Sequence, residues 1–207
     1  MSNFTYEFKN KHTVLEKYEW DNVWWEDTEA VDMPRVLYIG DSISCATRGR
    51  ATATANHELL FDGLGTSKAV DHPCFVETIR LFAKQQGSRV AVLFNNGLHG
   101  WHLDDTAAYR DSYETILQFL LEEFGSTPVF LVLTTAVSNP ERNARVILRN
   151  KVVMELADAY NLPVIDLYTL TDEHRVLISE DGVHLRSEGY DLLADKIVRA
   201  IKDHFHS

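Results

Sequence analysis

Basic charge, cysteine and long apolar runs are all scarce in this sequence. Twenty Lys and Arg stand against 31 Asp and Glu, a formal net charge of −11 with His neutral, so a polyphosphate surface is repelled rather than gathered. Nucleic acid and anionic membrane surfaces are disfavoured as partners. Two cysteines, Cys45 and Cys74, cannot build a disulfide framework, and a 207-residue chain does not need one to fold. Both are expected as buried thiols. No stretch approaches ~18 consecutive apolar residues, and residues 1–10 show no basic start followed by an apolar segment. Cytoplasm is the expected location, although a chain whose export signal had been removed would read the same. There is no internal repeat and no low-complexity tract.

What remains is an ordinary globular make-up, 45% apolar, 11% aromatic and 25% charged, with enough chain for one sizeable core. Residues 1–33 stand apart, with eight acidic against three basic residues and Trp20, Trp24 and Trp25 embedded among them. Neither a helical nor a strand period persists there. The expectation is an acidic, Trp-rich arm over 1–33, pinned by its indoles on a body over 34–207, because exposed indoles would forfeit a large apolar burial.

From Arg35 onward the pattern becomes regular. Short β-branched, apolar runs recur at Val36–Ile39, Val90–Phe94, Val129–Leu133 and Val164–Leu167. They are continuous rather than alternating, as in strands buried on both faces. Helical spacing predicts helices carrying Phe75, Val76, Ile79 and Phe82; then Tyr109, Tyr113, Ile116, Leu117 and Leu120, entered at Asp105-Thr106 and left at Gly125. Two more are predicted over Glu141–Tyr160, closed by a left-handed Asn161, and from Ser187 to about His204. Arg48–Ala55 is expected to be a loop or frayed segment. Alternating strands and helices imply a parallel sheet covered on both faces, with ligands at the carboxyl ends of its strands.

Three segments at those ends carry nucleophile chemistry. Gly40-Asp41-Ser42 delivers a serine where a strand turns through a glycine. Asp181-Gly182-Val183-His184 spaces a carboxylate and an imidazole so that one ring nitrogen is held while the other faces the hydroxyl. Asn95-Asn96-Gly97-Leu98-His99-Gly100-Trp101-His102 offers amide and imidazole donors beside flexible backbone, suited to an oxyanion. Taken singly, Ser42 fits a helix cap and Asp181-Gly182 a turn; their joint occurrence favours catalysis.

In these blocks, spread from about Arg35 to Ile201, the chain resembles the SGNH (GDSL) hydrolase superfamily of esterases and lipases. The resemblance implies a three-layer α/β/α flavodoxin-like sandwich with a parallel sheet, and no cofactor or metal. It implies Ser42 as nucleophile, His184 as general base and then acid, and Asp181 as the carboxylate that orients it. The oxyanion hole would draw on the N–H of Ser42, on Gly65 or secondarily Gly63, and on a side-chain donor. That donor normally comes from Gly-x-Asn-Asp, replaced here by Gly97-Leu98-His99-Gly100, so His99 by register or the preceding Asn96 takes the place. Asp41 and Trp101 are candidate substrate contacts.

The substrate expected is a small acyl, chiefly acetyl, ester of a carbohydrate or another polar alcohol. Lipase, lysophospholipase or thioesterase activity is the alternative, and a non-catalytic ligand-binding protein on the same fold is the competitor from another class. A metal site at His99 and His102 with Asp104 or Asp105 is disfavoured, because the spacing matches no known ligand set. Thr134-Thr135 and Arg149-Asn150 are left open as substrate contacts, and the oligomeric state is not legible.

Overall fold

The computed structural model describes residues 14–206; residues 1–13 of the expected arm, and Ser207, lie outside the described residues. A six-stranded sheet is formed by β1 (Asp21–Trp24), β2 (Arg35–Gly40), β3 (Leu60–Thr66), β4 (Ala91–Phe94), β5 (Val129–Val132) and β6 (Val164–Ile165), in the order β1-β3-β2-β4-β5-β6. β1 pairs antiparallel with β3, and every other pairing is parallel. The connections carry α1 (Ser42–Thr54), α2 (Phe75–Gln86), α3 (Thr106–Phe124), α4 (Pro140–Tyr160) and α5 (Leu167–Glu173), and α6 (Ser187–His206) closes the chain.

Side-chain alternation in β2 shows why its run is apolar throughout. Val36 and Tyr38 enter a core shared with α1 and α6, while Leu37 and Ile39 enter a second core under α2, α3 and the second half of α4. All four are essentially without solvent exposure. A strand buried on both faces must be apolar at every position. The result is a three-layer α/β/α sandwich whose sheet lies between two cores.

Helix ends follow the sequence signals closely. Asp105 caps α3 by accepting from the Ala107 amide, Gly125 ends it at φ +56°, and Asn161 ends α4 in the left-handed region at φ 53° and ψ 51°. Three expectations fail. Arg48–Ala55 is not a loop; Arg48 to Thr54 are the C-terminal half of α1, whose Ala51 and Thr52 are wholly buried, and the Thr52 hydroxyl accepts from the Phe61 amide of β3. Burial against β3 and α6 thus overrides weak helix propensity. The Val164–Leu167 run stops as a strand at Ile165, because Asp166 caps α5 through the Thr169 amide. Cys74 is exposed rather than buried, and Cys45 is only half-buried.

Residues 21–24 of the arm add an edge strand, so the arm is partly built into the sheet. Of its indoles, Trp25 stacks on Phe82 at 4.1 Å, whereas Trp24 is half exposed beside the Arg48 guanidinium. No helix among the described residues is long and apolar enough to cross a membrane.

Candidate active site

The strand order places β2 between β3 and β4, which the chain visits on opposite sides of it, so a crevice opens beyond the carboxyl end of β2. Ser42 stands there as the first residue of α1. The helix cap is Asp41, whose Oδ1 accepts the Ile43 amide at 2.9 Å, leaving Ser42 half-buried with its hydroxyl uncommitted to capping.

The loop before α6 supplies the partners. An antiparallel bridge between Ile178 and Leu185 closes it, Gly182 turns it at φ +78°, and the Gly182 carbonyl accepts the Ser138 amide at 2.8 Å. Asp181 serves two purposes with its two oxygens. Oδ1 accepts from the amides of Val183 and His184, both at 2.9 Å, and from the Ser179 hydroxyl at 2.8 Å. Oδ2 lies 2.7 Å from His184 Nδ1, and His184 Nε2 lies 2.8 Å from Ser42 Oγ. Partial burial pushes the pKa of the Asp181 carboxyl up, but the Val183 amide, the imidazole, the His184 amide and the Ser179 hydroxyl together hold it far below the usual carboxylate range. It is therefore an anion at any ordinary pH, which fixes the proton of His184 on Nδ1 and leaves Nε2 to accept from Ser42.

The β4–α3 loop forms the opposite wall. The buried guanidinium of Arg149 donates to the carbonyls of Gly97 (3.1 Å), His99 (2.5 Å), Gly100 (2.6 Å) and Leu103 (3.1 Å), and lies 4.5 Å from the Tyr109 ring. Asn150 in turn pairs with the Thr134 backbone through both amide atoms. These residues, left open as substrate contacts, brace the loop from beneath. Arg149 falls three residues after Val146 and four before Val153, both inward-facing. A charged residue on an apolar helical stripe was the signal that would have marked it.

The oxyanion expectations sort unequally. Asn96 is buried, and its Nδ2 donates to the Lys68 carbonyl at 2.7 Å, so it ties the loop to the chain after β3 rather than facing Ser42. Gly65 and Gly63 both lie inside β3, flanked by β1 and β2, where backbone N–H groups point along the sheet to a neighbouring strand. Gly65 pairs with Gly40, two residues before Ser42, and a Cβ at 65 would come within 2.1 Å of Cys45 Sγ on α1 and 3.3 Å of the Asp41 carbonyl.

His99 is buried, its Nδ1 lies 3.0 Å from Glu16 Oε1, and its Nε2 has no hydrogen-bond partner among the described residues. The same Glu16 oxygen accepts the Gly100 amide at 3.2 Å, and the Trp20 ring meets the imidazole edge-on at 5.9 Å. Glu16 gave no signal in sequence, since the arm has no periodicity. Asp41, a candidate substrate contact, is only 2% exposed; it caps α1, and burial pushes its carboxyl above the usual carboxylate range. Trp101 is half-buried and flanked by the guanidinium groups of Arg145 (4.7 Å) and Arg142 (5.4 Å). His102 pairs with Asp71 at 2.6 Å, away from His99's partner. Among the described residues no group of three or more metal-ligating side chains converges. A cleft of about 480 Å³ lies at the amino-terminal end of the strands, bordered by Trp25, Thr28, Val31, Arg35, Asp62 and Gln86, and Ser42, Asp181 and His184 do not line it.

No family model matches the sequence, and none of the curated proteins does. Solved structures match over nearly their whole length. The lipase/acylhydrolase from Enterococcus faecalis superposes with a TM-score of 0.66 at 24% identity, over 83% of this chain and 97% of that one. The fold is that of the SGNH (GDSL) hydrolases. The SGNH architecture is shared with the acetyl xylan esterase AlAXEase (TM-score 0.66, 19% identity, 81% and 99% covered). It is shared also with the C-terminal catalytic domain of peptidoglycan O-acetyltransferase A from Streptococcus pneumoniae (0.65, 20%, 84% and 96%). The SGNH likeness thus agrees with the resemblance carried by the Gly-Asp-Ser and Asp-x-x-His blocks.

Proposed function

We propose that the protein is a serine ester hydrolase. The observation that carries this is the hydrogen-bonded chain from Ser42 through His184 to Asp181 at the carboxyl edge of the sheet. Ser42 Oγ attacks the ester carbonyl while His184 Nε2 takes its proton; the imidazolium then protonates the departing alcohol, leaving an acyl-enzyme. Water, deprotonated by the same nitrogen, releases the acid and restores the serine. The developing oxyanion is met by the Ser42 N–H, a first-turn amide at the positive end of α1, and by His99.

For substrate, the reading is a small acyl group, chiefly acetyl, on a carbohydrate or similar polar alcohol. Two of the similar structures point that way, one an acetyl xylan esterase and the other a peptidoglycan O-acetyltransferase; the lipase/acylhydrolase keeps longer chains as the alternative. The test is fluorophosphonate labelling, followed by hydrolysis of acetylated sugars and of p-nitrophenyl esters of increasing chain length. Labelling is expected at Ser42 and lost in His184→Ala, and Ser42→Ala is expected to lower kcat by on the order of 10⁴-fold or more. A folded protein that takes no label would be a binding protein, and preference for long chains would make it a lipase.

A further inference from the structure

The site contains a second acid–imidazole pair beside the one that activates Ser42. Glu16, its side chain 4% exposed, reaches in from the arm to His99 Nδ1, and Trp20 closes over the ring. Since Glu16 Oε1 also accepts the Gly100 amide, that oxygen is an acceptor and the shared proton sits on Nδ1. A neutral imidazole in this tautomer has a bare Nε2 and donates nothing from it. Only the imidazolium does.

The surrounding charges favour that form. From the arm, Glu16 and Glu19 face His99; from the β2–α1 turn, Asp41 does. Glu16 Oε2 and Asp41 Oδ2 are both buried, with no hydrogen-bond partner among the described residues. On the other side, Arg149 of α4 is committed to the carbonyls of the loop, and His184 lies within electrostatic reach of Asp41. Burial pushes the Asp41 carboxyl above the usual carboxylate range, and a positive charge on His99 opposes that cost as well as pairing with Glu16. Burial alone would lower the imidazole's proton affinity, but the hydrogen bond and charge of Glu16, then Asp41 and Glu19, raise it overall.

Resting on the hydrolase reading above, we infer that Glu16 is a positioning residue that keeps His99 doubly protonated, making Nε2–H a charged oxyanion donor and the N-terminal arm a part of the active site. The two imidazoles then work in opposite states: His184 neutral as base, His99 cationic as electrophile. A raised proton affinity means the donor is present at low and neutral pH and is lost as pH rises, so His99 sets the alkaline limb of the profile.

The experiment is the pH dependence of kcat/KM on p-nitrophenyl acetate for the full chain, with thermal melts to verify folding. Glu16→Gln is expected to move the alkaline limb down by roughly one to three pH units, leaving the acid limb in place. His99→Asn supplies an amide donor that does not titrate, so the limb is expected to vanish. A uniform loss in Glu16→Gln at every pH, or an unchanged profile, overturns the inference. Should Glu16→Gln fail to fold, an NMR titration of His99 in the wild type decides: loss of its proton below about pH 6.5, the ordinary value, also overturns it. Activity surviving in Ser42→Ala would instead sink the hydrolase reading, so the two failures are distinguishable.

Discussion

The Asp181 carboxylate accepts four hydrogen bonds, and its two oxygens make separable predictions. Asp181→Asn keeps one carbonyl oxygen to accept the Val183 and His184 amides, so the loop is expected to hold. The new NH₂ group faces His184 Nδ1, however, where it meets an acceptor rather than a donor only if the ring changes tautomer. His184 would then present Nε2–H to Ser42 and lose its use as a base. The expected result is a fall in kcat of about 10⁴-fold with a near-wild-type melting temperature, measured by stopped assay and thermal denaturation. At this scale Ser42, Asp181 and His184 were legible because each is held by its own short segment: a strand end, a helix start, a four-residue turn. Glu16 was not legible, because its meaning lies in a contact 83 residues away along the chain; Arg149 is marked by its charge on an apolar stripe, but the loop it braces lies about 50 residues away.

Between elements, the loop carrying His99 is positioned by a close approach that only glycine allows. A Cβ on Gly97 would lie 1.9 Å from Thr134 Oγ1, 2.9 Å from its Cβ and 3.2 Å from its Cγ2, so no rotation of the threonine relieves the clash. Gly97→Ala is expected to cost about 1–3 kcal/mol by overpacking and to lower kcat by displacing His99 two residues on. Thr134→Gly in the same chain is expected to recover much of the activity, although not all the stability, since Thr134 Oγ1 also accepts from Asn95 Nδ2 at 3.1 Å. Denaturant unfolding and kcat of the single and double variants check this. The same kind of contact explains which elements escaped the sequence. The strands β2, β4 and β5 and the helices α2, α3, α4 and α6 show their apolar periods and caps openly. β3 was missed because Asp62-Gly63-Leu64-Gly65 has the composition of a turn. Its glycines serve α1, where Arg48 and Cys45 fill the space that their side chains would occupy. β1 carries only exposed side chains and so has no pattern to read.

Taken as a whole, the molecule sets an anionic body around a site of mixed charge. The formal net charge is −11, and Glu16, Asp41 and Asp181 stand among the cationic and imidazole groups of the crevice. Fold class was legible at this scale because alternating strands and helices admit few architectures, and the substrate was not, because no contact with it is written in chain periodicity. Charge nevertheless makes a substrate prediction. A negatively charged ester, such as a hemisuccinate, has to approach against the field of the whole body, and that repulsion is screened once the Debye length falls from about 30 Å at 0.01 M salt to a few ångströms near 1 M. The kcat/KM for such an ester is expected to rise several-fold over that range, while a neutral acetyl ester of the same alcohol stays flat. Steady-state kinetics in sodium chloride measures both. A fall for the anionic ester would mean that Arg142 and Arg145, both set against Trp101, outweigh the body's charge locally and draw anionic alcohols into the site.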